Sequence, residues 1–158
     1  RLPMDEIVLF AIFLARRQEE ICALRREDYD AARATILVRD AKHPRDPHYS
    51  VRVSITPEAA AVLERQPAGE LFFPFNGRSV QAAFARACKM LGIEDLHFHD
   101  LRHEAASRLA ELGWTIPQMA AVTGHRTWAN LQRYTHLAGP EPVDKYAGWR
   151  FRPVQGVV

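Results

Sequence analysis

Cysteine is nearly absent from this chain of 158 residues: Cys22 and Cys88 stand far apart, in neither metal-ligand nor disulfide-framework spacing. A disulfide-stapled or zinc-ribbon scaffold is thereby excluded, and both thiols are expected reduced in the core. No apolar run approaches the roughly 20 residues that span a bilayer, and the opening Arg1-Leu2-Pro3-Met4 has no signal-peptide pattern. The reading expects a cytoplasmic protein with no membrane partner. A large charge of either sign is also lacking, since the formal net charge is only +2, and that alone argues for no polyanionic partner. Lysine is scarce, three residues against 18 arginines. Guanidinium groups favour forked contacts to phosphate, so the bias leans toward nucleic acid, with a high-GC genome as an equally good cause.

What is present fits one domain with a proper core: 47% of the residues are hydrophobic and 25% charged. Met4 to Ala15 is apolar on most sides and predicts a helix buried against several neighbours. Arg16-Arg17-Gln18-Glu19-Glu20 interrupts it, and a second short helix follows with Ile21 and Leu24 inward; an arginine pair between buried helices needs a partner, for which Glu20 is placed. Arg33 to Val38 and Ser50 to Ile55 alternate and are β-branched, which predicts two antiparallel strands joined by a polar connection that carries Lys42. Thr56-Pro57 starts a helix running to about Gln66; Leu71 to Phe75 reads as core; Ser79 caps a helix from Val80 to Leu91, closed by Gly92. Thr115 to Gln118 resembles a capping box leading to Gly124, and one more helix covers Arg126 to Tyr134. The fold class expected is α+β, mainly helical, with a small antiparallel sheet near the N-terminal third.

The stretch His99-Asp100-Leu101-Arg102-His103 organises the rest. Apolar residues at Leu101, Ala105, Leu109 and Leu112 give helical spacing, which sets His99, at the entry, and Arg102 on one face. A neutral-range proton carrier beside a permanent, forked cation suits a phosphate or carboxylate. A cap and a surface charge would explain the same pair. Gathered along the chain, the residues of this kind are Arg17, Lys42, His99, Arg102, His125 and Tyr134, the last nine positions after His125.

Their order and contexts resemble the catalytic domain of the tyrosine recombinases, the phage-integrase family that includes the XerC and XerD type enzymes. The motifs are Arg17-Gln18-Glu19-Glu20-Ile21, a lysine between two strands, His99-Asp100-Leu101-Arg102-His103, Gly124-His125, and Arg133-Tyr134-Thr135-His136. The resemblance runs from about Met4 to Tyr134. It implies the family's catalytic-domain fold over 1–138, a tail at 139–158 whose Trp149 and Phe151 dock a neighbouring subunit or fold back in cis, and double-stranded DNA as partner of a homo-oligomer, a tetramer on paired sites. The resemblance finds no counterpart here of the family's amino-terminal DNA-clamping domain, so a fragment or excised domain is expected.

The resemblance further implies that Tyr134 attacks a DNA phosphodiester, forming a 3′-phosphotyrosyl link and releasing a 5′-hydroxyl. Arg17 and Arg102 would grip the non-bridging oxygens with a hydrogen bond from His125. Lys42 would protonate the leaving oxygen, His99 would assist proton transfer at the tyrosine or brace the phosphate, and Glu20 would support the first arginine. No cofactor or metal is called for. Physical chemistry agrees: a free tyrosine, of pKa about 10, is a poor nucleophile at neutral pH unless a base or a cationic surround favours its oxyanion. Two arginines and the imidazoles are expected to supply that field, and fixed donors on a phosphoryl transition state are typically worth ~3–4 kcal/mol each by analogy with oxyanion holes. Ala15-Arg16 stands where the family usually has Thr-Gly, so either Arg16 or Arg17 faces the phosphate. Arg17 is chosen because it brings Gln18 to Ile21 into register.

Three rival readings compete. A type IB topoisomerase-like enzyme uses a similar residue set without strand exchange. A DNA-binding domain without activity would have no need of the intact polar set. A metalloprotein would draw on His97, His99, His103, His125 or His136, but Asp100 replaces the glutamate of a zinc-type HExxH and Arg102 would sit against the cation.

Overall fold

The computed structural model describes residues 2–41, 46, 48–125 and 127–137. Lys42, the tail after Leu137 and the docking residues expected at Trp149 and Phe151 lie outside them. Helix α1 (Met4–Leu14) is the axis of the core: Ile7, Phe10, Ala11 and Leu14 are wholly buried, and the Phe10 ring meets that of Phe73 at 5.4 Å. Apolar residues on most sides permit contact on most sides, and α1 packs against both α3 (Pro57–Glu64) and α5 (Asp100–Glu111). Leu101, Ala105, Ala106, Leu109 and Ala110 give α5 its buried stripe, while Leu112, expected on that stripe, is 55% exposed because the helix ends at Glu111 and the chain turns outward at Gly113.

The sheet is antiparallel in the order β1 (Tyr29–Asp30), β2 (Thr35–Val38), β3 (Val51–Ser54), with Thr35 opposite Ser54 and Val38 opposite Val51. The two central strands match the alternation in the sequence, and Ile36, Val38 and Val53 are the inward set. The two-residue β1 adds a third strand. Arg39, leaving β2, holds Asp28 with a forked pair of 2.7 Å hydrogen bonds.

Thr56 caps α3, its hydroxyl accepting from the Ala59 amide at 3.2 Å. Helix α4 (Gly77–Met90) begins earlier than its sequence suggests. Asn76, not Ser79, is the cap, its side chain accepting from the Arg78 amide at 2.9 Å. Gly77 lies against α2 (Gln18–Cys22), where a Cβ would come within 3.2 Å of the Glu19 side chain. Helix α6 (Ile116–Thr123) opens with the Gln118 side chain accepting from the Thr115 amide at 2.8 Å and closes on left-handed Gly124. The last helix among the described residues, α7 (Trp128–Gln132), is short and anchored by buried Leu131; Tyr134 follows it, just before a 3₁₀ turn at Thr135–Leu137. Cys22 and Cys88 are free and buried. Among the described residues no helix is long and apolar enough to cross a membrane.

Candidate active site

The joint between α1 and α2 carries the first arginines. Ala15 ends α1 in the left-handed region (φ 54°), and Arg17 is extended, so two neighbouring guanidiniums leave the chain in different directions. Glu20, one turn into α2, ties both down: its carboxylate accepts from the Arg17 amide at 3.2 Å and from the Arg17 guanidinium at 2.8 Å, and lies 3.5 Å from Arg16. Arg17 keeps more than a third of its side chain exposed and lines a cleft of about 210 Å³ with His97, Phe98 and His99. Arg16 is only 3% exposed, packs against Gly124, and has Nε and Nη2 without a hydrogen-bond partner.

Helix α5 brings the second arginine. Arg102, 5% exposed, donates to the Ala15 carbonyl at 2.5 Å, which fastens α5 to the α1–α2 joint. Asp100 accepts from the His97 amide at 2.7 Å and shapes the entry to the helix, leaving His99 exposed at its cap. One turn on, the ring of His103 stands edge-on to His99 at 5.3 Å.

His125 follows the glycine that ends α6. Its Nδ1 lies 2.6 Å from the hydroxyl of fully buried Thr123, which orients the ring. Tyr134, 5% exposed, has its hydroxyl 2.7 Å from Nδ1 of His103, not against His99.

These groups share one electrostatic neighbourhood. Burial, then Arg16 and Arg17, lower Arg102 to about 10, so it stays a cation. Burial, then Arg102, Arg16, Arg17 and His103, bring His125 down to about 3, and it is a neutral imidazole at physiological pH. Burial, then His103, Arg102 and Arg17, lower His99 as well. Burial would raise Glu20, but Arg16 and Arg17 outweigh it and hold the carboxyl below its usual range. Tyr134 moves against expectation: burial raises its phenol, and the opposing pull of Arg133 and Arg102 does not overcome it. The arginines therefore do not by themselves make the phenolate, and deprotonation needs an acceptor.

Five of the six residues singled out from sequence thus interact in one place, and Lys42 lies outside the described residues. Three guanidiniums and a neutral imidazole against one buried carboxylate make a site for an anion with a phenol at its edge. The sequence reading named His103 only as a possible metal ligand and passed over Thr123. The former was visible as the last residue of the organising pentapeptide, whereas nothing in the sequence signals that Thr123 holds His125. Among the described residues no three His, Cys, Asp or Glu side chains come together as metal ligands do.

Comparison with known proteins bears on family and fold. The chain is 38% identical over 150 residues to the shufflon-specific DNA recombinase of Escherichia coli, spanning 88% of this chain and 37% of that protein. It spans about two-fifths of the length of the curated relatives it matches. Among solved structures, the catalytic domain of bacteriophage HP1 integrase shares the fold with a TM-score of 0.65 at 22% identity, covering 92% of this chain and 80% of that one. The Tn1549 transposon integrase, solved in complex with a circular intermediate DNA, has a TM-score of 0.65 at 14% identity, covering 82% and 52%. The model of the phage integrase family matches residues 5–140, and the chain belongs to that family.

Proposed function

We propose that this chain is the strand-cutting and strand-joining domain of a site-specific DNA recombinase or integrase, acting by transesterification through a 3′-phosphotyrosyl intermediate. The observation that carries it is Tyr134, a single phenol buried at the edge of the cluster formed by Arg17, Arg102, His99 and His125. Arg17 is accessible from the cleft and Arg16 is not, which supports Arg17 as the guanidinium that meets the non-bridging oxygens together with Arg102. His125 enters as a neutral ring and donates one hydrogen bond. Lys42 supplies the proton to the leaving 5′-oxygen. Glu20 fixes the Arg17 fork. Charge spread over equatorial phosphoryl oxygens is met by fixed cations, so no metal is required, and bond energy stored in the phosphotyrosyl link lets a 5′-hydroxyl reseal the strand without ATP.

The partner is double-stranded DNA, in keeping with relatives that are recombinases and neighbours solved on DNA. Residues 1–138 form the catalytic unit, four copies assemble on paired sites, and 139–158 serve as a tail that docks on a neighbouring copy or folds back in cis. Incubation with a nicked suicide substrate carrying the cognate site tests the reading. The parent protein gives a covalent protein–DNA band on a denaturing gel and Tyr134→Phe gives none; a band that survives Tyr134→Phe removes the proposal.

A further inference from the structure

We infer that His103 is the group that takes the proton from Tyr134 when its oxygen attacks the phosphorus. The inference rests on the recombinase reading and adds to it a residue to which no role was assigned above.

Three observations lead there. The hydroxyl of Tyr134 and Nδ1 of His103 are 2.7 Å apart, within the range for direct proton transfer. Tyr134 is buried and its phenol is pushed up, so the oxyanion does not form unaided. His103 itself is exposed on α5 and has solvent at hand to receive the proton next. His99, the other imidazole of the pentapeptide, contributes to the cleft with Arg17, and its ring meets the edge of His103. The two histidines thereby divide the work, one facing the cleft and the other the nucleophile.

Neutral His103, with its proton on Nε2, accepts the phenolic hydrogen at Nδ1 as the Tyr134 O–H bond breaks. The freed electron pair forms the O–P bond and the P–O5′ bond breaks. The leaving oxygen receives its proton from a separate donor, and imidazolium remains at His103. On resealing, the 5′-oxygen displaces the phenol and the imidazolium returns its proton. Among the described residues, the groups that interact with His103 include His99 at the cap of α5, Asp100 on that helix, His125 from the end of α6 and Tyr134 after α7, whose phenol in turn feels Arg133 and Arg102.

The test compares the parent with His103→Gln and His103→Ala, measuring the rate of covalent adduct formation across about pH 5 to 8, where an imidazole changes charge. Two suicide substrates are used, one with the natural 5′-oxygen and one with sulfur in its place, whose thiolate departs without a proton. Glutamine can still hold the phenol by a hydrogen bond but cannot take its proton. The parent should speed up as pH rises; both variants should lose that rise and roughly 10²-fold or more in rate, keep gel-shift affinity for DNA, and gain nothing from the sulfur substrate. A glutamine variant as fast as the parent reduces His103 to a positioning residue and overturns the inference. Restoration by sulfur assigns the proton to the leaving oxygen and overturns it too. A parent that forms no adduct on either substrate defeats the recombinase reading itself, a result distinct from both.

Discussion

The guanidinium of Arg16 packs against Gly124, so closely that a Cβ on the glycine would stand 2.9 Å from Cζ and 2.8 Å from Nη1. The contact joins the α1–α2 turn to the residue that precedes His125, two parts of the site more than 100 positions apart in sequence.

Gly124→Ala should therefore destabilise on two counts. The φ of +64° costs a residue with a Cβ ~1–2 kcal/mol, and the buried guanidinium would have to shift to make room for the methyl. Pairing it with Arg16→Ala removes the second count. A double-mutant cycle by urea denaturation should show a coupling of about 0.5–3 kcal/mol, and additive effects would deny the contact.

Glu20→Ala should cost on the order of 3–5 kcal/mol, because it strands Arg16 as an uncompensated buried charge. Arg16→Met should fold at least as well as the parent, since an apolar side chain of similar length replaces a cation with two orphaned donors. Denaturation midpoints of both variants check the pair of expectations.

Activity should separate the two neighbours. Arg17→Ala loses nearly all covalent adduct on the suicide substrate, and Arg102→Ala does the same, while Arg16→Met retains a readily measured rate. The reverse order for Arg16 and Arg17 would move the phosphate grip to the buried residue and contradict the burial seen here.

Acid should weaken the fold early. His125 is held near 3 in the folded chain, whereas an unfolded histidine titrates at about 6.5. Between those values the unfolded state binds a proton that the folded state refuses, so stability is unaffected above about pH 6.5 and falls as pH drops toward 3. His99, also lowered, adds to the same slope. Glu20, lowered too, contributes stability that begins to disappear only below its usual value of 4.5, so a comparison near pH 7.5 and 5.5 isolates the histidines. Urea midpoints should fall between those two conditions, and less so in His125→Asn.

Local grammar was legible in the sequence. The capping signals at Thr56 and Thr115, the glycine after α6, the alternation of β2 and β3 and the helical stripe of α5 are set by neighbours a few residues apart, and the structure reproduces them. The short strand β1 escaped because two residues have no period. The start of α4 escaped because Asn76 outbids Ser79 only once Gly77 is seen against α2. At the site, residue types were readable and partners were not. Two histidines four apart on one helix look alike in sequence, and only the return of the chain after α7 decides which meets Tyr134. The raised phenol was missed for the same reason, since burial depends on the whole fold.

Ala15 holds a backbone conformation that suits glycine, and from that one hinge hang Arg16, Arg17 and, through its carbonyl, Arg102. Ala15 is itself wholly buried, so the fold around it, rather than its own preference, holds it there. Glycine at position 15 would relieve that conformation and leave the carbonyl that anchors Arg102 in place.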